Sequence, residues 1–150
     1  MSHFFVMYPT GMISNMTPTL PMGRRVVVDR LTYRQRDPAV GEIVMLVPPR
    51  TGRFHSTSNL AGRIVAIGGE TVQMLSDRVY VNGKERDLLP RVSHGPDEDG
   101  FHPPYGVQEP YQVPAGYYFV VGDDRSNIFD SRSYGAVPRE SIVGRIVKTL

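Results

Sequence analysis

The sequence predicts an all-β fold, built mainly of antiparallel strands joined by long irregular loops and containing little helix. Short runs rich in β-branched and aromatic residues recur along the 150-residue chain, and glycine or proline residues separate them. No run has the apolar spacing of an amphipathic helix of ordinary length. The 15 glycines and 13 prolines favour frequent turns, which suits short strands better than long helices.

Each predicted strand has a local reason in the sequence. β-branched and aromatic side chains fit a pleated, half-buried surface, and turn-forming residues mark where each run stops. Pro48-Pro49 ends the third strand, and Asn82-Gly83 is a strong tight-turn signal after the sixth. The strands are expected at residues 4–8, 25–29, 42–47, 63–67, 71–75, 78–82, 117–121 and 142–148, with a charged loop at 34–41.

The length and the distribution of prolines predict one domain that covers residues 1–150. A chain of this size buries about two-thirds of its unfolded surface and folds without help. Residues from about 86 to 114 are rich in proline and acidic residues and show little periodicity. This stretch is expected to be a surface excursion that packs only in part, and not a linker to a second domain.

Composition excludes several classes of function. The net charge of +2 is too small to argue for a nucleic-acid partner. The absence of cysteine excludes disulfides, thiolate chemistry and zinc ribbons. No apolar run reaches the length of a membrane span, and no signal-peptide pattern opens the chain. No cofactor is expected.

A proline-bearing segment at residues 12–20 precedes the second predicted strand. Its sequence is Met-Ile-Ser-Asn-Met-Thr-Pro-Thr-Leu, with the amide residue Asn15 at its centre. Pro18 disfavours helical geometry at Thr17, so the segment is expected to be extended or turn-like.

This segment resembles the nucleophile box of the type I signal peptidases, Ser-x-Ser-Met-x-Pro-Thr-Leu. Met16, Pro18, Thr19 and Leu20 fall on that pattern. Further segments resemble the family's other boxes in the same order: 42–44, 63–72 with the hairpin 79–84, 118–125, 130–132 and 135–140. The resemblance implies a signal peptidase-like β-fold and a chain normally preceded by an anchoring helix, so that the sequence is a fragment without its anchor.

Four positions at which the family places catalytic groups hold other residues in this chain. Asn15 stands at the nucleophilic serine and Gly62 at the lysine base, which works because burial lowers the lysine pKa. Ile13 replaces the serine that bonds the oxyanion, and Ile128 replaces the serine that orients the lysine. The expectation from these replacements is a catalytically inactive relative that is not an enzyme.

The resemblance also implies a scaffold and a binding groove. Charged and glycine residues of the last box are expected to form a network that fixes a loop against the sheet; they are Gly122, Asp123, Arg125, Asp130 and Arg132. An extended polypeptide would bind as an added strand in a groove beside the altered nucleophile position. The groove is expected to be formed by Met12, Ile13, Ser14, Asn15, Met16, Leu60, Ala61, Gly62 and Ile64.

Other groups are weaker candidates for chemistry. Ser14 neighbours Asn15, but adjacent side chains of an extended segment point to opposite faces. Lys84 is expected to be a surface charge in a hairpin, and His55 an ordinary loop histidine. No metal site is expected, because an acidic loop without tight ligand spacing contains the remaining candidates: His94, Asp97, Glu98, Asp99 and His102.

The favoured hypothesis is an inactive signal peptidase-like protein that binds a precursor, a pilin or a partner subunit in a chaperone or assembly role. Signal-peptidase-like proteins of Gram-positive pilus clusters are the family's precedent. One alternative is an active processing serine protease with an atypical or engineered-out dyad, whose cleavage Ser14→Ala would abolish. Another is a structural β-domain of a membrane-associated assembly. The resemblance implies membrane anchoring at the outer face of the bacterial cytoplasmic membrane.

Overall fold

A computed structural model describes residues 5–9, 15–49, 59–75, 77–86, 88, 107, 109–127 and 129–150. Several residues singled out in the sequence lie outside this described part, as does most of the proline-rich stretch. They are Met12, Ile13, Ser14, His55, His94, Asp97, Glu98, Asp99, His102 and Ile128.

The prediction of an all-β fold is confirmed. The strands are β1 (Phe5–Pro9), β2 (Arg25–Asp29), β3 (Ile43–Leu46), β4 (Leu60–Ile67), β5 (Thr71–Leu75), β6 (Arg78–Val81), β7 (Lys84–Glu85), β8 (Tyr111–Gln112), β9 (Tyr117–Val121), β10 (Val137–Pro138) and β11 (Ile142–Thr149). Two helices of four residues, α1 (Thr32–Gln35) and α2 (Ser131–Tyr134), and a 3₁₀ turn at Arg139–Ser141 complete the described elements.

The strands form two antiparallel sheets. The larger sheet has the order β1-β2-β11-β3-β4-β9-β10, and the smaller has the order β7-β6-β5-β8. In the larger sheet, Ala61 of β4 lies opposite Met45 of β3, and Gly62 lies opposite Val44. β4 pairs with β9 only from Arg63 onward, so the stretch 60–62 has β3 as its one strand partner among the described strands.

Alternation along the central strands divides the core between the two faces of the larger sheet. Met45 packs with Met16 and Leu20 on one face, whereas Val44 and Leu46 pack on the other. The second face also carries α1 and α2 through Tyr33 and Tyr134, which belong to the same cluster as Val44. A third cluster joins the two sheets and contains Val65, Phe119, Val72 and Met74.

The expectation of a loop throughout residues 34–41 is wrong at its start, where α1 ends. The side chain of Asp29 stabilises the entry to the helix, because its Oδ1 accepts hydrogen bonds from the amides of Leu31 (2.7 Å) and Thr32 (3.1 Å). In α2, Asp130 is the N-cap residue itself, and its side chain accepts from the amide of Arg132. In the described part of the chain, no helix is long and apolar enough to cross a membrane.

Candidate functional site

A turn formed by residues 15–20 lies on the larger sheet and is anchored by two apolar side chains. The amide of Leu20 donates to the carbonyl of Met16 at 2.8 Å, which closes the turn. Both side chains are buried against Val26 and Val28 of β2. Burial of the Met16 and Leu20 side chains fixes the position of the rest of the turn.

Asn15 joins this turn to two other parts of the chain. Its Nδ2 donates to the carbonyl of Ala61 at 3.1 Å and to that of Phe129 at 3.3 Å. Its own carbonyl accepts from the amide of Asp124 at 2.9 Å, and the residue is buried. A carboxamide donates and accepts hydrogen bonds, but it has no hydroxyl oxygen to attack a peptide carbonyl.

Two glycines allow the close approach of backbone at this point. A Cβ atom added at Gly122 would lie 2.4 Å from the carbonyl oxygen of Asn15, a distance that the packing does not permit. A Cβ added at Gly62 would lie 3.1 Å from Cβ of Val120, which is tight but less severe. The turn therefore rests directly on the backbone that follows β9.

A buried ion pair fixes the turn against β4. The carboxylate of Asp123 accepts from Nε and Nη2 of Arg63, both at 2.8 Å, and from the hydroxyl of Thr19 at 2.6 Å. Asp123 is fully buried, and Arg63 also donates to the carbonyl of Gly41 at 2.7 Å. A bidentate pair of this kind constrains geometry as well as charge.

The structure brings together the five residues of the expected network. Asp130 accepts from the amide of Gly122 at 2.9 Å and pairs with Arg132 at 2.7 Å. Arg132 donates to the carbonyl of Arg125, whose own Nε donates to the carbonyl of Gly122 at 3.0 Å. Asp123 belongs to the adjoining pair with Arg63, so the loop from residue 122 to residue 132 is held at several points.

Sequence reasoning missed Arg63 and Thr19, which complete the coordination of Asp123. Both residues lie inside the matched segments, and each is a polar residue next to a buried apolar one, Ile64 or Leu20. This position beside a buried residue is the sequence feature that could have indicated a paired role, because a polar side chain inside a buried strand or turn needs a partner.

The described members of the expected groove lie around the start of β4 and the turn. The side chains of Met16, Ala61 and Ile64 are buried in the core, and Leu60 is half-buried. Met16 and Ala61 pack on the face of the larger sheet that carries the turn, whereas Ile64 and Leu60 pack on the opposite face. The described members of the expected groove are therefore divided between the two faces of the sheet. Lys84 lies exposed in β7 of the smaller sheet.

Comparison with known proteins gives consistent matches. The family described as "Signal peptidase, peptidase S26" matches residues 1–150. A probable signal peptidase I-2 of Synechocystis is 36% identical over 88% of this chain and 57% of its own length. Signal peptidase I of Leptolyngbya laminosa is 33% identical over 89% of this chain and 63% of its own length.

Thylakoidal processing peptidase 1 of Arabidopsis thaliana is 36% identical over 89% of this chain and 38% of its own length. This chain thus spans less than two thirds of each of these three relatives. A crystal structure of a signal peptidase I from Enterococcus faecalis matches with a TM-score of 0.52 and 25% identity, covering 75% of this chain and 98% of that one.

These relatives overturn the expectation that the chain is not an enzyme. At 33–36% identity over most of the chain, they are named as peptidases. The replacements at Asn15, Gly62, Ile13 and Ile128 concern four positions only, and they do not outweigh this relationship. None of these names refers to a pilus or to a chaperone.

Proposed function

Because this chain belongs to the signal peptidase family, peptidase S26, we propose that it processes polypeptides that carry a signal peptide, by hydrolysing one peptide bond. The observation that carries this proposal is a family match over the whole chain. The buried turn, ion pair and network that position the candidate site add support.

The substrate would bind as an extended strand beside the start of β4. Residues 60–62 pair with β3 on one side, while the carbonyl of Ala61 is directed at Asn15 on the other. An added strand pairs through backbone donors and acceptors, with side-chain pockets for selectivity. Here the strand would displace the Asn15 amide from the Ala61 carbonyl. The proposed groove lies beside Asn15 and Met16 of the turn and the backbone of residues 60–62.

Hydrolysis in this chain requires an atypical set of catalytic groups. A serine-type peptidase needs a hydroxyl nucleophile and a group that takes its proton. Asn15 and Gly62 supply neither, so we take Ser14 as the candidate nucleophile. Ser14 carries the hydroxyl that lies next to the family's nucleophile position in the sequence.

The place of action would be a membrane. The Arabidopsis relative is named for the thylakoid, and the Synechocystis and Leptolyngbya relatives are named as signal peptidases I. We propose that the chain is part of a longer, membrane-anchored protein whose site faces the extracytoplasmic side.

The test is cleavage of a secretory precursor peptide with a small-x-small site, followed by mass spectrometry. An active signal peptidase serves as positive control, and Ser133→Ala, at an exposed serine of α2, as the matched variant. We expect a product at the bond cut by the positive control, retained in Ser133→Ala and lost in Ser14→Ala. Binding without any product contradicts the proposal, and a product that survives Ser14→Ala excludes Ser14 as nucleophile.

A further inference from the structure

A cavity of about 200 Å³ lies beside α1, away from the candidate site. It shares no residue with the turn 15–20, with β4 or with the loop 122–132. Its walls come from the end of β2, from α1 and the segment after it, and from the 3₁₀ turn leading into β11. The lining residues are Arg30, Tyr33, Arg34, Pro38, Arg139, Ile142 and Val143.

The polar part of this wall is cationic. Arg30, Arg34 and Arg139 come from three separate segments and converge on the cavity, and none of its lining residues is acidic. Arg30 is exposed and makes no ion pair with any described carboxylate. The charge of Arg139 is balanced by Asp37, and an anion in the cavity would relieve the mutual repulsion of the other two guanidinium groups.

Arg139 is a fixed member of this group. Its guanidinium pairs with Asp37 and donates to the carbonyls of Tyr33 and Arg36. These contacts hold the side chain in place before any ligand arrives, which lowers the conformational entropy lost on binding.

The nearby acids are already engaged. Glu42 pairs with Arg36 at 2.6 Å and with Arg145 at 3.0 Å. Asp29 accepts from the amides and hydroxyl of residues 31 and 32. Burial, reinforced by the Glu42 charge, raises the pKa of Tyr33 far above its usual range, so this phenol stays neutral in the wall.

We propose that this cavity binds a phosphate group, either free or carried on a lipid headgroup. Guanidinium groups form paired hydrogen bonds that match phosphate oxygens, and convergence of several arginines is the usual arrangement for such a ligand. The cavity has room for several water-sized groups. Ile142 and Val143 offer an apolar surface for the carbon atoms of a phosphate ester.

The test measures binding of two probes to the intact chain and to charge-matched variants. Inorganic phosphate is titrated by calorimetry, and vesicles of phosphatidylcholine with or without phosphatidylglycerol are tested by co-sedimentation. Arg30→Gln and Arg34→Gln remove one charge each from the cavity. Arg78→Gln removes one charge from an exposed pair with Glu85 on the smaller sheet, and circular dichroism checks that each variant is folded.

We expect the dissociation constant to rise about ten-fold in Arg30→Gln and Arg34→Gln, and to stay within about two-fold in Arg78→Gln. Binding of phosphate in solution identifies a free ligand. Binding confined to phosphatidylglycerol vesicles identifies a lipid headgroup. Absence of binding in both arms, or an equal loss in Arg30→Gln and Arg78→Gln, overturns the proposal.

Discussion

At the scale of single residues, the candidate site depends on how closely the Asn15 backbone approaches Gly122. We predict that Gly122→Ala destabilises the protein by about 1–3 kcal/mol, because the new Cβ would overlap the Asn15 carbonyl, 2.4 Å away. Gly62→Ala is the matched variant, since its Cβ meets only the Val120 side chain, at 3.1 Å. Urea unfolding measures both changes. Equal stability losses in the two variants would contradict the prediction.

The residues of the site were predictable to different degrees. Asn15 and Gly62 stand at positions that an ordered set of short segments defines, so the sequence located them. The partners of Asp123 were not found, because Arg63 and Thr19 lie 60 and 104 residues away along the chain. No local pattern encodes which buried cation meets which carboxylate. Only the folded sheet brings them together.

At the scale of elements, a pair between Glu70 and Arg86 ties the smaller sheet to β4. The carboxylate accepts from Arg86 at 2.6 and 3.0 Å, and Arg86 also donates to the carbonyl of Val65 at 2.9 Å. The hydrogen bond from Arg86 is the main reason that the pKa of Glu70 lies below its ordinary value of 4.5, although burial opposes the shift.

This pair predicts a dependence of stability on pH. Since the pKa of Glu70 is lower in the folded than in the unfolded chain, its contribution is complete above about pH 4.5 and is lost as pH falls further. Thermal unfolding of the chain and of Glu70→Gln between about pH 3 and pH 7 measures the effect. We expect the difference in stability between them to shrink below about pH 4.5. The exposed Glu140→Gln serves as control, and a difference independent of pH would exclude this role for Glu70.

Strands were predictable from sequence because β-branched runs and turn residues mark them, whereas the short helices were not. α1 and α2 have four residues each, too few for a helical period. Aspartate side chains stabilise their starts: Asp29 accepts from the amides of Leu31 and Thr32, and Asp130 caps α2. The start of β4 was placed three residues late, because Gly62 is a poor strand residue by itself. Pairing of Leu60 with Leu46 outweighs that preference.

At the scale of the whole molecule, we propose that residues 1–150 form one domain, because the two sheets share a core. Val65 and Phe119 of the larger sheet pack with Val72 and Met74 of the smaller one. We predict a single unfolding transition whose calorimetric and van't Hoff enthalpies agree. Differential scanning calorimetry measures both enthalpies. Two separate transitions would show that the sheets unfold independently and would refute the single domain.

Family membership was predictable from the sequence, but the inference that the chain is not an enzyme was wrong. The order of the matched segments follows the fold, because their described parts fall on strands of both sheets and on the turns and short helices between them. The loss of hydroxyls at three positions and of an amine at a fourth does not identify which neighbouring groups could act in their place. Ser14, next to Asn15 in the sequence, is the group that the cleavage assay with Ser14→Ala tests.

The contact between Asn15 and Ala61 has a consequence for self-association. A sheet edge that can accept a substrate strand can also accept a strand from another copy of the same chain, which is a common route to aggregation. At the start of β4, the Asn15 amide already occupies the Ala61 carbonyl. An incoming strand must displace that hydrogen bond before it can pair. Weak contacts between copies of the chain therefore find the Ala61 carbonyl already bonded. We expect pairing there only when a strand makes further contacts that outweigh the loss of the hydrogen bond from Asn15.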